Sequence, residues 1–264
     1  MEEKVCFVSV DVEPDFGGQE FEGIESFDQI LSVFKRVGVK ATLFTTGKVL
    51  EKYPDKFKEL ANQGFEIVGH SYSHTFWNKL TKQEREQDTD KFLSIYNQVF
   101  NKIPVGFRAP SHIIDEEGLK LLQDKGFLYD SSVMPHYPPF KKYRGFRGKA
   151  LKNPYYPSQE DYRVKGSMKI LEIPVTGQLL GIPLAGAWLS RLPRWIYKLV
   201  FLVHKPQFIT VSMHPWDAID FEGRTSKPED FLKGLENVLN ILKKSGYQFL
   251  LGKQIYEQFS QNRQ

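Results

Sequence analysis

Residues 5–16 read VCFVSVDVEPDF. Val5 to Val10 is a nearly unbroken apolar run, the signature of a strand buried on both faces in a parallel sheet. Three acids follow at every second position: Asp11, Glu13 and Asp15. Side chains on a strand alternate between faces, so all three carboxylates would point to one side, with Val12 turned away between the first two. Either the strand ends in solvent, or the acids hold something.

Outward from this stretch, short apolar runs alternate with amphipathic ones. Strands are expected at 41–45, 65–68, 105–107, 127–129, 170–173, 208–213 and 247–250. Helices are expected at 27–37 with Ser26 as N-cap, 54–62, 81–100, 116–124 and 229–244, with a short terminal helix after them. Thr81 and Glu84 have capping-box spacing, and Gly64 and Gly126 stand where helices stop. This βαβα rhythm predicts an α/β fold with a parallel sheet. Seven or so strands in 264 residues suit a distorted (β/α) barrel, read as a single domain over 1–264. Residues 135–169 break the rhythm with Tyr, Pro, Lys and Arg, and read as an insertion over one end of the barrel.

Bulk properties narrow the classes. A single cysteine, Cys6, excludes a disulfide framework and a thiolate metal cluster. The net charge of +4 tolerates an anionic partner without requiring one, and the basic residues form no stripe, which argues against nucleic acid. The N-terminus lacks the basic and long apolar regions of a signal peptide, so a cytoplasmic location is expected. Residues 179–205 are apolar, aromatic and studded with Arg191, Arg194, Lys198 and Lys205. They read either as a peripheral contact with the inner membrane face or as a buried barrel helix.

Polar, titratable residues recur just after predicted strands, where parallel β/α folds gather catalytic groups. These are Asp11 to Asp15, His70 to His74, Arg108 to Pro110, Tyr129 to Ser132, and His214 to Asp217. Spaced four apart, His70 and His74 would share one face of a helix and grip one ion. A carboxylate from the first strand end would complete a two-histidine, one-carboxylate set with positions open for water and substrate. Arg108 is either a strand-end surface residue or a clamp on a carboxylate. Asp130 could be a simple turn residue, and His214 a core histidine.

Together the motifs resemble the polysaccharide deacetylase family, the NodB-homology carbohydrate esterases. The carriers are His70-Ser71-Tyr72-Ser73-His74, Arg108-Ala109-Pro110, Met213-His214 and the strand ATLFTTG at 41–47. The resemblance implies a NodB-type barrel and metal-dependent removal of an N-acyl group, N-acetyl above all, from an amino sugar. It also implies roles. His70 and His74 would bind a divalent metal, Zn²⁺ first, with Co²⁺, Mn²⁺ or Ni²⁺ as alternatives. Asp11 would be the general base and Arg108 would hold it ionised. His214 would be the general acid, paired with Asp130. Pro110, Trp216 and Tyr129 are expected at the substrate. The family pattern has two adjacent aspartates, the second a metal ligand, but Val12 occupies that place here. Glu13 is therefore assigned as the third ligand, in a D-x-E variant resembling a branch that deacetylates or deformylates cell-envelope sugars, with Asp15 in reserve. The expected substrate is a lipid-linked or precursor sugar of envelope glycan synthesis. The alternatives are a non-catalytic glycan-binding homologue and a deformylase or cyclic amide hydrolase on the same fold.

Overall fold

The computed structural model describes residues 4–135, 149–176, 178–179, 182–190, 195, 197, 206–222 and 226–261. In chain order the first elements are β1 (Val5–Val12), α1 (Glu22–Glu25), α2 (Asp28–Val37), β2 (Thr42–Thr45), α3 (Gly47–Lys52), α4 (Pro54–Asn62) and β3 (Glu66–Gly69). There follow α5 (Lys82–Phe100), β4 (Gly106–Phe107), α6 (Glu116–Asp124), β5 (Tyr129–Asp130), β6 (Leu171–Glu172), β7 (Gln178–Leu179) and β8 (Ile182–Pro183). The last are β9 (Phe208–Met213), α7 (Pro228–Lys244), β10 (Gln248–Leu250) and α8 (Gly252–Gln261). The chain divides into two compact units, Met1–Thr42 with Gly177–Leu251, and Leu43–Thr176 with Gly252–Gln264.

In the first unit β1 pairs in parallel with β9 along its length, Val5 with Phe208 through to Val10 with Met213, and with β10 at Val5 to Phe7. The apolar run expected to end at Val10 continues as strand through Asp11 and Val12. Helix α2 buries Ile30, Val33, Phe34 and Val37, the i, i+3, i+4, i+7 stripe of a core-facing helix. It packs against α7, which buries Phe231, Leu235, Val238, Leu239 and Leu242. Ser26 does not cap α2. It closes the short helix α1, its N–H donating to Glu22 O, and Phe27 precedes α2 with no side-chain cap.

In the second unit β3, β4, β5 and β6 pair in parallel, with Gly69 opposite Phe107, Phe107 opposite Asp130, and Asp130 opposite Glu172. The capping box at the start of α5 is formed in full: Glu84 N–H donates to Thr81 Oγ1, and Thr81 N–H donates to Glu84 Oε2 at 2.8 Å. Gly106 and Gly252 both lie against the Tyr129 ring, where a Cβ at either position would overlap it. Of the expected insertion, 136–148 lies outside the described residues. The rest returns to the sheet: Tyr155 and Glu172 exchange antiparallel backbone hydrogen bonds of 3.0 and 2.8 Å, and Pro157 bridges Lys165.

Most of 179–205 also lies outside the described residues. Within it β7 and β8 form an antiparallel hairpin, and Gly186–Ser190 make a 3₁₀ turn. Among the described residues no helix is long and apolar enough to cross a membrane.

Candidate active site

The first unit supplies acids and a histidine. Asp11, Glu13 and Asp15 are all buried, so the solvated strand end is excluded. His214 follows β9 directly, as Asp11 follows the paired Val10 of β1, so the ladder sets both at one level. His214 Nε2 lies 3.9 Å from Glu13 Oε1, and its Nδ1 lies 3.8 Å from Asp217 Oδ2. The His214 N–H donates to the same Asp217 oxygen at 2.8 Å. Burial opposes the charged imidazolium, yet the Asp217 hydrogen bond and the charges of Glu13, Asp217 and Asp11 outweigh it, lifting the His214 pKa from 6.5 to about 9. The imidazole stacks on Trp216 with ring centroids 4.1 Å apart and planes 9° from parallel.

Asp15 is bound elsewhere. Its carboxylate accepts the Gly23 N–H at 3.1 and 3.2 Å at the start of α1. Burial raises its pKa, and backbone hydrogen bonds oppose that rise.

The second unit supplies the two expected metal-binding histidines and the arginine. His70 and His74 do not lie on a helix. They occupy an irregular loop after β3 in which Ser71 and His74 have φ of 65° and 61°. Asp88 of α5 clamps that loop, accepting the N–H of Tyr72 at 2.9 Å and of Ser73 at 3.0 Å, while Ser71 Oγ accepts the His74 N–H at 2.9 Å. The ring centroids of His70 and His74 are 5.0 Å apart. His70 Nδ1 meets the Arg108 carbonyl at 2.7 Å. A carbonyl only accepts, so Nδ1 carries the proton and Nε2 is left with its lone pair for a metal.

Arg108 is fully buried. Its Nε donates to Ser131 O at 2.8 Å, its Nη2 donates to Ser131 Oγ at 3.0 Å, and its guanidinium lies 3.9 Å from the Phe44 ring centroid. Asp130 accepts the Ser132 N–H at 2.9 Å and the Ser132 hydroxyl at 2.8 Å. Beside it on β6 stands Glu172, whose pKa burial and the Asp130 charge push well above the carboxylate range. Glu172 Oε1 accepts the Val133 N–H at 3.0 Å, while Oε2 is buried with no other hydrogen-bond partner. A proton on Oε2 shared with Asp130 satisfies both groups.

The first unit offers the buried Glu13 carboxylate, and the second offers the neighbouring imidazoles of His70 and His74. Two imidazoles and a carboxylate suit a divalent transition metal with positions left open. Of the residues expected at the substrate, Trp216 stacks on His214, whereas Pro110 is buried in a 3₁₀ turn. Tyr129 is corrected to a core residue, fully buried between two glycines and out of a substrate's reach. Two residues, Glu172 and Asp88, were missed, and Asp217 was singled out without a role. Asp217 follows His214 by three positions, and Glu172 is an acid inside the apolar run ILEI, so both left a trace in the sequence. Asp88 left none, being one acid among many on a polar helix.

Parallel strands alternating with helices, and a pair of histidines held close together on a strand-end loop, define a β/α protein with candidate divalent-metal ligands. Residues 1–129 match the family profile described as polysaccharide deacetylase. The peptidoglycan deacetylase-like protein FGM2 of Gibberella zeae is 36% identical over 124 residues, 46% of this chain and 37% of that protein. A peptidoglycan-N-acetylglucosamine deacetylase of Bacillus cereus is 33% identical over 105 residues, 40% of this chain and 38% of that protein. The chain thus spans about two-fifths of the length of the curated relatives it matches. In fold it is similar to a Mycobacterium smegmatis structure assigned to the polysaccharide deacetylases, with TM-score 0.69, 17% identity, and coverage of 98% of this chain and 92% of that one. A pseudoenzyme of carbohydrate esterase family 4 from Bacillus anthracis gives TM-score 0.60 at 17% identity, covering 96% and 66% of the two chains. The fold is a distorted (β/α) barrel of the NodB type.

Proposed function

We propose that the chain is a metal-dependent hydrolase that removes the N-acetyl group from an amino sugar of a cell-envelope glycan or its lipid-linked precursor. The observation that carries this reading is the close pair of imidazoles, His70 and His74, in one unit, with His214 beside the buried Glu13 in the other. Glu13, His70 and His74 would hold a divalent ion, Zn²⁺ first. When bound, it supplies a Lewis acid for the amide carbonyl and lowers the pKa of water.

The chain's own groups do the rest. Asp11, one step before the ligand pair's Val12 spacer, takes the proton from the attacking water. Arg108, held along one edge by Ser131, keeps Asp11 ionised. His214 gives a proton to the departing amine nitrogen, so that the sugar leaves as a neutral amine. Asp217 fixes the imidazole and favours its charged form. The D-x-E arrangement of Asp11 and Glu13 thereby divides two roles between two acids, base and ligand, with Val12 facing the core. Asp130, first expected beside His214, is assigned to the scaffold: its Ser132 partner accepts the Ala109 N–H at 2.8 Å and so fixes the chain after Arg108.

Metal content and acetate release test the assignment together. Asp11→Asn should keep stoichiometric Zn²⁺ while turnover falls roughly 10²- to 10⁴-fold. Glu13→Gln should lose metal affinity. If Glu13→Gln holds metal as tightly as wild type, the ligand assignment is wrong. If the metal-loaded wild type releases neither acetate nor formate from any amino-sugar substrate, the hydrolytic reading fails. Glycan binding without cleavage, the role the pseudoenzyme likeness brings forward, then takes its place.

A further inference from the structure

In the second unit the imidazole of His70 is one end of a hydrogen-bonded chain that runs to a buried acid. The parallel ladder lays out its members. Gly69 pairs with Phe107 and Phe107 with Asp130, so the residues just beyond these strand ends stand side by side. Arg108 N–H donates to Gly69 O and Ser131 N–H donates to Phe107 O, both at 2.9 Å. His70, Arg108, Ala109, Asp130 and Ser132 are all buried.

His70 Nδ1 donates to the Arg108 carbonyl at 2.7 Å. That carbonyl belongs to the same peptide unit as the Ala109 N–H, which donates to Ser132 Oγ at 2.8 Å. An amide N–H only donates, so the hydroxyl accepts there and its own proton goes to Asp130 Oδ1 at 2.8 Å. The order is carboxylate, hydroxyl, peptide, imidazole. Asp130 Oδ2 also accepts the Ser132 N–H at 2.9 Å, which ties the backbone and the side chain of Ser132 to one acid. The negative charge rests on Asp130, because burial and that same charge keep the neighbouring Glu172 protonated.

Each link polarises the next. A hydroxyl that donates to a carboxylate is a better acceptor for the N–H behind it. A peptide whose N–H meets a strong acceptor shifts electron density onto its own carbonyl oxygen, through the resonance that keeps it planar. That oxygen then draws the Nδ1 proton more firmly and leaves more electron density on Nε2. A carboxylate or carbonyl behind a metal-binding histidine fixes its ring and raises its basicity in this way. Here the carboxylate acts at a distance, through a hydroxyl and a peptide. Burial leaves little water to screen the effect.

We propose that Asp130 and Ser132 are positioning residues for His70, acting through the Arg108–Ala109 peptide to orient the imidazole and to make Nε2 a stronger metal ligand. This rests on the reading of His70 as a ligand given above.

The test uses the full chain labelled with ¹⁵N-histidine, as wild type, Ser132→Ala, Asp130→Asn and Ser132→Thr. In the metal-free protein, NMR reads the His70 Nδ1 proton. It should move upfield in Ser132→Ala and Asp130→Asn, while the ring nitrogens of His74 stay near their wild-type positions. Ser132→Thr keeps the hydroxyl and should return the proton towards its wild-type position. Competition with a chelator should show Zn²⁺ affinity reduced roughly three- to tenfold in each of the first two variants, less than for a partner that touches a ligand directly. The double variant should lose no more than either single one, because both cut the same chain. A merely structural role would disturb both histidines and give losses that add. That result, or a His70 proton unmoved in both Ser132→Ala and Asp130→Asn, overturns the proposal. If wild type binds no Zn²⁺ while the His70 proton still responds, the chain from Asp130 to His70 stands and the ligand reading falls.

Discussion

Two carboxyl groups buried side by side cannot both be charged, and Asp130 and Glu172 share a proton for that reason. Glu172 holds it. Burial raises its pKa first, the neighbouring Asp130 charge raises it further, and the Val133 N–H and Arg108 oppose the rise. The folded-state pKa thus lies above the unfolded value near 4.5. The stability this group contributes is present below 4.5 and is lost as pH climbs toward the folded-state value. Glu172→Gln keeps the shape and a donor but cannot ionise. Its stability relative to wild type should therefore increase as pH rises above 4.5, by up to about 1.4 kcal/mol per pH unit. Urea denaturation at several pH values between 4 and 7 reads this directly, and parallel curves for the two proteins would refute the neutral Glu172.

The loop carrying His70 and His74 shows what an element must supply when propensity does not. Ser71 and His74 both sit at positive φ, a conformation a serine and a histidine do not choose unaided. Helix α5 imposes it through Asp88, and the Thr81–Glu84 box fixes where that helix begins. Asp88 touches neither imidazole, so its influence on the centre is indirect. Asp88→Ala should leave helix content unchanged and weaken Zn²⁺ affinity by about ten- to a hundredfold, the range seen when groups supporting a ligand are removed. Competition with a chromogenic chelator measures it. Affinity equal to wild type would show that the loop holds its shape without the clamp.

Across the molecule, what the sequence showed and what it hid follow one physical division. Strand 208–213 and helix 116–124 have the bounds expected of them, because an apolar run and a capped amphipathic stretch carry their instructions locally. The opening strand was legible as buried, but its continuation through Asp11 depends on the β9 partner. The D-V-E spacing was legible because alternation on a strand is local too. Ser26 was misassigned because two helices meet there and only tertiary packing decides which one it serves. Tyr129 was placed at the substrate because it borders polar motif residues. The two glycines that bury it lie far apart in sequence. Asp217 left a local trace, three residues after His214, and Glu172 stood out as an acid in an apolar run, whereas Asp88 acts through contacts that no local pattern announces.

The parallel ladder between β1 and β9 also bears on how the chain comes to be folded. Val10 pairs with Met213, about two hundred residues later. The strand that carries Asp11 leaves the ribosome well before its partner does. At ordinary rates of synthesis, about 5–20 residues per second, the segment VCFVSV waits ten seconds or more with that edge unpaired. Closing so long a loop is slow, and an apolar strand edge exposed meanwhile invites other chains. Refolding from denaturant should be slow, and its yield should fall as protein concentration rises, as light scattering would report. The same long-range pairing that sets Asp11 and His214 at one level makes the nascent chain dependent on protection until β9 is made.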